Sequence, residues 1–303
     1  MRTLPFVLAP LLGAGAAPSA AAQGVPAPPP SIPAASAPAA SPASRAAPPR
    51  DGLDEAVRLG RLLYAYDRAA WHGTDAVRAL LPADPARLAE RMTGYVAEPH
   101  EGGWRVVFGR LSPDSSALDV AYEALLDSAY AVRGARALDP AERRTGADFE
   151  AFWALGRAKR AFVPPERVQY NSAVVPVGDG AFLVYFLPAQ PAARVYLVGA
   201  DVRFAAWPRE RRLGPPVRLH AGLVPMDLRR QTGPTLSTAV LTAHPVETDV
   251  FYALSRPDAP GRLPRHVVVA EDWAFLIDGT GAIEAVPAAD LSARLSARVA
   301  APR

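Results

Sequence analysis

The segment from residue 26 to residue 50 sets where folding can begin in this chain. It contains nine prolines and many alanines, but no aromatic residue and no acid. Such a segment buries too little apolar surface to offset the entropy lost on ordering, and its prolines favour an extended, semi-rigid chain. The sequence therefore predicts a Pro/Ala-rich disordered tether over residues 23–50, either a spacer from a surface or a tolerated low-complexity leader, with a folded body after it.

Residues 1–22 have the organisation of a signal peptide. Arg2 supplies the positive charge, residues 4–12 form a short apolar stretch, and small residues end in Ala20-Ala21-Ala22. The apolar stretch is much shorter than the roughly 20 residues of a membrane-spanning helix. We therefore expect export to the periplasm or secretion, with cleavage near Ala22 and no transmembrane span in the mature chain. Retention of the segment as an uncleaved anchor is the alternative.

Composition excludes several classes of function. The chain has no cysteine, which removes thiol nucleophiles, thiolate metal sites and disulfides. Of the 33 basic residues, Arg2, Arg45 and Arg50 precede residue 51, and the remaining 30 balance the 30 acidic residues. A body without net charge predicts no nucleic-acid partner.

The first part of the body, residues 51–165, shows helical spacing and then strand alternation. We predict a helix over 52–70 capped by Asp51, a short second helix from Thr74 to Leu81, and a third between Asp84 and Gly94. A hairpin is expected at 95–98 and 104–111, and a central aromatic helix at 149–162. Strands are expected at 118–126 and 129–138, although their alanine-rich runs also suit helices.

The second part, residues 166–303, is predicted to be an antiparallel β-rich section with a C-terminal helix. Strands are expected at 173–177, 182–187, 195–207, 237–241, 266–270 and 273–277, and helices over 250–255 and along Leu291, Leu295 and Val299. The order of helices, sheet, helix, sheet and helix predicts an α+β fold. The two parts form one domain or two small ones.

Complete catalytic motifs are absent from the sequence. It contains no phosphate-binding loop, no H-E-x-x-H, no G-x-S-x-G and no EF-hand loop. The five histidines are scattered, with no two within four residues. His72, at a predicted corner near Trp71 and Asp75, is either a general base or a hydrogen-bonded structural residue.

One stretch combines a strand, a His-Pro corner and acids at the start of a helix, over Thr242-Ala243-His244-Pro245-Val246-Glu247-Thr248-Asp249. This order resembles the metal corner of JAMM/MPN metalloproteases, in which a strand ends in H-x-H-P. His244 and Pro245 match the second histidine and the proline, and Thr242 stands at the first histidine. The resemblance implies a metal bound by His244, with Asp249 as the nearest candidate for the metal acid. The hydrolase hypothesis takes Asp249 as the second ligand or as an acid that orients water, a third ligand from His220 or His266, and Glu247 as a further catalytic candidate. The same residues also suit a helix start, with Thr248 as N-cap and Glu247 and Asp249 favoured there by the helix dipole.

Three stretches together resemble a family of exported bacterial proteins of uncharacterised function. They are YNSAVVPVGDGAFLVYFLPAQ from Tyr170, TAHPVETDVFYALSRP from Thr242 and HVVVAEDWAFLIDGTGAI from His266. The resemblance extends over most of residues 51–286. It implies a shared fold and export, and no activity.

A proline-interrupted segment holds most of the clustered arginines, among them Arg209, Arg211 and Arg212. It predicts a basic loop that binds an anionic partner such as lipid head groups or a polyanionic glycan. A solvated arginine-rich loop is the alternative.

The sequence as a whole predicts an exported soluble protein of the cell envelope, a non-enzymatic binding or interaction module without a cofactor. Its binding surface is expected after Tyr170, and its partner is an envelope protein, a lipid surface or a glycan. The competing hypothesis is a metal-dependent hydrolase of JAMM-like type, with zinc as the candidate metal and its site around His244. The two differ in one requirement, because the hydrolase needs His244 near another histidine and a metal.

Overall fold

The computed structural model describes residues 52–229, 235–237, 244–256 and 264–300. Helices and several antiparallel sheets alternate along these residues. The predicted α+β fold is confirmed.

Helix α1 (Leu53–Val77) opens the body. Leu59, Leu63, Tyr66 and Ala70 are buried at intervals of three and four residues, as one face of an amphipathic helix requires. The prediction of a new helix at Thr74 is wrong, because α1 continues through it to Val77. Gly73 does not end the helix; it lets α1 approach the sheet, where an added β-carbon would lie 2.6 Å from Val106 Cγ2.

Helix α2 (Pro85–Arg91) has the predicted N-cap, since Asp84 Oδ1 accepts a hydrogen bond of 2.9 Å from the Ala86 amide. Asp51, the predicted cap of α1, lies outside the described residues, and Gly52 precedes that helix in a left-handed conformation with φ 90°.

The first sheet is antiparallel in the order β1-β2-β3-β4. Its strands are β1 (Gly94–His100), β2 (Gly103–Leu111), β3 (Leu118–Asp127) and β4 (Val132–Arg144). Glu101 and Gly102 have positive φ of 46° and 72°, as the predicted tight hairpin requires. The strand expected at 129–138 is β4, which starts later because Asp127 organises a turn before it, and which runs on to Arg144.

Helix α3 (Ala147–Ala161) follows, and its aromatic side chains face the core as predicted. The second sheet and its neighbours contain β5 (Tyr170–Gly178), β6 (Ala181–Pro188), β7 (Val195–Gly199), β8 (Val202–Trp207), β9 (Arg212–Leu213), β10 (Val217–Arg218) and β11 (Leu223–Asp227). Strands β10-β8-β6-β5 form the path of this sheet, β9 also pairs with β8, and β7 pairs with β11.

The prediction of one strand over 195–207 is wrong, because the chain turns between β7 and β8. Gly199 and Ala200 have φ of 90° and 53°, and a β-carbon at Gly199 would lie 2.2 Å from the Gly222 carbonyl oxygen. A glycine therefore meets both demands of this position, a left-handed backbone and a close approach.

The last section contains β12 (Thr235–Ser237), α4 (Glu247–Ser255), β13 (His266–Ala270), β14 (Trp273–Ile277), β15 (Ile283–Pro287) and α5 (Leu291–Ala300). Strand β12 pairs with β13 in parallel, and β13, β14 and β15 pair antiparallel. The strand predicted at 237–241 lies outside the described residues beyond Ser237. Thr248 is not the N-cap of α4: Val246 precedes the helix, and its amide donates to Asp249 Oδ2 at 2.9 Å.

The largest buried cluster takes side chains from α1, the first sheet, α3 and the second sheet. Helix α1 also crosses α4 at very short range. A β-carbon at Gly60 would lie 2.5 Å from Val250 Cβ and 2.6 Å from the Glu247 carbonyl oxygen. This crossing joins the last section to the helix that supports the first sheet.

Candidate functional site

Four buried polar side chains form one hydrogen-bonded network between β8, α4 and β13. His220 Nδ1 lies 2.7 Å from Asp201 Oδ1, and His220 Nε2 lies 3.0 Å from Asp249 Oδ1. His266 Nε2 lies 3.0 Å from the same Asp249 oxygen. All four are at most 1% exposed. We call these residues, Asp201, His220, Asp249 and His266, the buried network.

Local structure places each member of the buried network. Asp201 directly precedes β8, and the pairing of Arg218 with Val202 brings the following His220 beside it. Asp249 lies in the first turn of α4, and His266 begins β13. The network therefore joins four segments that are distant in sequence.

Hydrogen bonds within the network raise the pKa of His220 and lower that of Asp249, so each favours the charged form of the other. Burial alone lowers the pKa of His220, but hydrogen bonds with the Asp201 and Asp249 carboxylates outweigh it and raise that pKa to about 10. His220 is thus an imidazolium at neutral pH and donates from both ring nitrogens. Burial alone raises the pKa of Asp249, and the hydrogen bonds from His220 and His266 outweigh this and hold it well below its ordinary value.

Three of the four predicted metal ligands, His220, Asp249 and His266, therefore meet. The fourth, His244, is partly buried, with its Nδ1 3.0 Å from the Pro245 carbonyl oxygen and its ring beside Gly52 at the start of α1. Within the described ranges, no group of three histidine or acidic side chains is arranged to hold a metal ion. The arrangement is that of hydrogen-bonded charges that hold these segments together. Because its members are at most 1% exposed, a substrate cannot contact them.

A small depression beside the network is lined by Tyr196, Val198, Leu228, Tyr252 and Arg256. Its interior has room for about one water molecule. An organic substrate of ordinary size does not fit there.

Glu247, the third catalytic candidate, is engaged in a separate buried contact. Tyr185 OH donates to its Oε1 at 3.0 Å, and Arg203 forms an ion pair with the same oxygen. The side chain is 5% exposed. Glu247 thus ties the first turn of α4 to β6 and β8.

Two of the three arginines predicted to bind anions have acidic partners. Arg209 Nε donates to Glu150 at 2.8 Å, and Arg212 Nε donates to Glu210 at 2.9 Å. The Arg212 guanidinium also lies 3.5 Å from the centre of the Trp207 ring. Arg211 is exposed in the turn before β9, with a positive φ of 52°.

A second cluster lies on the outside of α1, where no binding surface is predicted from the sequence. The Trp71 and His72 rings are stacked with centroids 5.2 Å apart, and the His72 and Tyr130 rings with centroids 6.1 Å apart. The Arg68 guanidinium lies 4.5 Å from the centre of the Trp71 ring, and its Nη2 donates to His72 Nε2 at 2.8 Å. Trp71 is 45% exposed. We call Arg68, Trp71, His72 and Tyr130 the aromatic row.

The protonation of His72 agrees with this geometry. Burial and then the neighbouring Arg68 charge lower its pKa, against a smaller opposing effect of Asp75. The neutral ring accepts the hydrogen bond from Arg68, so His72 is a fixed member of the row and is not at a corner between two helices.

Tyr130 adopts a left-handed backbone with φ 64° in the turn between β3 and β4. This conformation is uncommon for a bulky residue and costs on the order of 1 kcal/mol or more. Asp127 Oδ1 holds the turn by accepting from the amides of Ala129 at 2.8 Å and Ala131 at 2.9 Å. The turn therefore carries a strained residue that completes the aromatic row.

Comparison of the chain with protein-family models, with curated proteins and with solved structures yields no match. The two resemblances in the sequence accordingly depend on the residues quoted for them. Among the helices described for this chain, none is both long and apolar enough to cross a membrane.

Proposed function

We propose that this chain is an exported, non-enzymatic interaction module of the cell envelope that binds an extended, proline-rich polypeptide through the aromatic row. The observation that carries the proposal is the exposed Trp71 ring, held in a row of three stacked rings by Arg68 and by the strained Tyr130 turn. Strain that persists beside an exposed aromatic residue is typical of a binding surface.

The spacing of the row suits such a ligand. The ring centroids are 5.2 Å apart from Trp71 to His72 and 6.1 Å apart from His72 to Tyr130, steps that are short beside a polyproline turn of about 9 Å, so a ligand of about one turn reaches more than one ring. Proline-rich segments bind surfaces lined by aromatic rings, because their extended helix is already formed and loses little entropy on binding. The apolar proline rings pack against the aromatic side chains.

A substitution at Trp71 tests the proposal directly. Trp71→Ala should weaken binding of a proline decamer at least about tenfold, which corresponds to about 1.4 kcal/mol for loss of an aromatic anchor. The same change should leave the melting temperature nearly unaltered, because the ring is 45% exposed. Binding is measured by titration calorimetry and stability by thermal unfolding.

Trp207 offers a matched control, since it is a partly exposed tryptophan with an arginine over its ring. Trp207→Ala should leave decamer binding unchanged. Equal losses of affinity in the two variants would contradict the proposal.

The competing hydrolase hypothesis has one observation in its favour, the convergence of His220 and His266 on one oxygen of Asp249. A zinc hydrolase needs three protein ligands and an open position for water. The buried network offers no such open position, because its members are at most 1% exposed.

Zinc content separates the two hypotheses. After zinc loading and dialysis, we expect no stoichiometric zinc by elemental mass spectrometry. One zinc per chain that is lost in His266→Ala and kept in His100→Ala would support the hydrolase and contradict our expectation. His100 serves as the control because it lies on β1, with its nearest acidic partner, Glu101, on the surface.

A further inference from the structure

We infer that the partner of the aromatic row is the chain's own tether: residues 28–33, Pro-Pro-Pro-Ser-Ile-Pro, lie on Trp71 and Tyr130 in the same molecule. This inference rests on the proposed function, since it requires that the row binds proline-rich chain. It makes the row the place where the tether is held against the body.

Composition favours this segment over the rest of the tether. Residues 28–33 contain four of the nine prolines of residues 26–50, together with Ile32, the largest apolar residue there. Prolines spaced as P-x-x-P, here Pro30 and Pro33, are the pattern that aromatic surfaces recognise. Residues 26–44 carry no charge, so no cation opposes Arg68 on approach.

Geometry allows the contact within one molecule. Trp71 follows Leu53 by 18 residues on one helix, which places it about 27 Å along α1 at 1.5 Å per residue. The 18 residues from Pro33 to Asp51 extend to about 56 Å at 3.1 Å per residue. The tether can therefore return along α1 with length to spare.

The experiment uses the full chain labelled with 5-fluorotryptophan. Each of the chain's five tryptophans then gives a fluorine resonance of its own. Trp71→Phe assigns the Trp71 resonance, and Trp207→Phe assigns a partly exposed reference. In the test variant Pro28, Pro29, Pro30 and Pro33 are changed to serine. In the matched control Pro38, Pro42, Pro48 and Pro49 are changed to serine, so that both variants lose four prolines.

We expect the Trp71 resonance to shift in the test variant and to stay in place in the control, with the Trp207 resonance unmoved in both. A free peptide with the sequence of residues 26–35 should return the test variant's resonance toward its original position. It should bind the unsubstituted chain at least several-fold more weakly, because the row is already occupied there.

A Trp71 resonance that is identical in the test variant and the unsubstituted chain would overturn the inference. The proline decamer then separates the two proposals. If it shifts the Trp71 resonance, the row binds proline-rich chain and only the assignment of the tether is wrong; if it does not, the proposed function is wrong as well. A spectrum of the unsubstituted chain that changes on dilution would place the tether of a second copy on the row and would overturn the intramolecular assignment.

Discussion

Replacing His220 by glutamine should lower the free energy of unfolding by about 3–5 kcal/mol, as loss of one partner from a buried ion pair does. The change removes the cation that lies 2.7 Å from Asp201 and 3.0 Å from Asp249. Two carboxylates then remain in a region from which water is excluded, and the neutral amide cannot compensate both. The measurement is unfolding by urea at pH 6.

His100→Gln is the matched control, because its imidazole lies 3.7 Å from the exposed Glu101 carboxylate. A surface pair of this kind contributes little, so we expect a change within about 0.5 kcal/mol. Similar losses in the two variants would mean that the buried network does not stabilise the fold.

The effect of His220 should depend on pH with a defined sign. Its pKa rises from 6.5 to about 10 on folding, so its contribution to stability is complete below about pH 6.5 and is lost as the pH rises through about 10. The pKa of Asp249 is lowered on folding, so its contribution is present above about pH 4 and is lost in stronger acid. The difference between the unsubstituted chain and His220→Gln should therefore be largest between about pH 4 and 6.5 and shrink toward pH 10. A difference that grows with pH in the alkaline range would refute this assignment of charge.

Local patterns in the sequence predicted much of the secondary structure. Strands β13 and β14 begin and end where alternation and the flanking turns place them. The residues at which helices and strands end were harder to predict. Glycine is typical of a helix end, yet Gly73 lies inside α1, where it allows close contact with Val106. Gly199 interrupts a continuous apolar run because of a neighbouring backbone that the sequence does not reveal.

The buried network could be predicted only in part. Asp249 was a candidate because it follows the His-Pro corner at the start of a helix, and His220 or His266 because a metal site needs a third ligand. Asp201 gave no local signal, since its link to His220 depends on the pairing of β8 with β10. His244 carried the resemblance to a metal corner, and the structure places its ring at the start of α1.

Part of the aromatic row can be predicted from residue spacing along α1. Arg68, Trp71 and His72 are spaced at i, i+3 and i+4 on one helix, the spacing at which side chains touch. Tyr130 reaches the row from a turn 58 residues beyond His72, and only the tertiary fold brings it there. The sequence therefore predicts the part of this surface that lies on one helix, but not the part contributed by the distant turn.

The crossing of α1 and α4 gives the second large expected effect. Gly60→Ala should lower the free energy of unfolding by about 1–3 kcal/mol, as overpacking does, although alanine favours a helix by nearly 1 kcal/mol over glycine. The added methyl would lie 2.5 Å from Val250 Cβ and 2.6 Å from the Glu247 carbonyl oxygen. The backbone oxygen cannot rotate away, so α4 has to move, and Asp249 moves with it.

Gly156→Ala on α3 separates this clash from helix propensity. A β-carbon there would meet Leu111 Cδ1 at 3.4 Å, an ordinary contact with a flexible side chain. We expect Gly156→Ala to raise stability by about 0.5–1 kcal/mol, opposite in sign to Gly60→Ala. The two variants are compared by urea unfolding at one pH. If both stabilise the chain, the close crossing of α1 and α4 is wrong. If Gly60→Ala destabilises the chain and also reduces the pH dependence that His220 confers, the crossing is what holds Asp249 in the buried network.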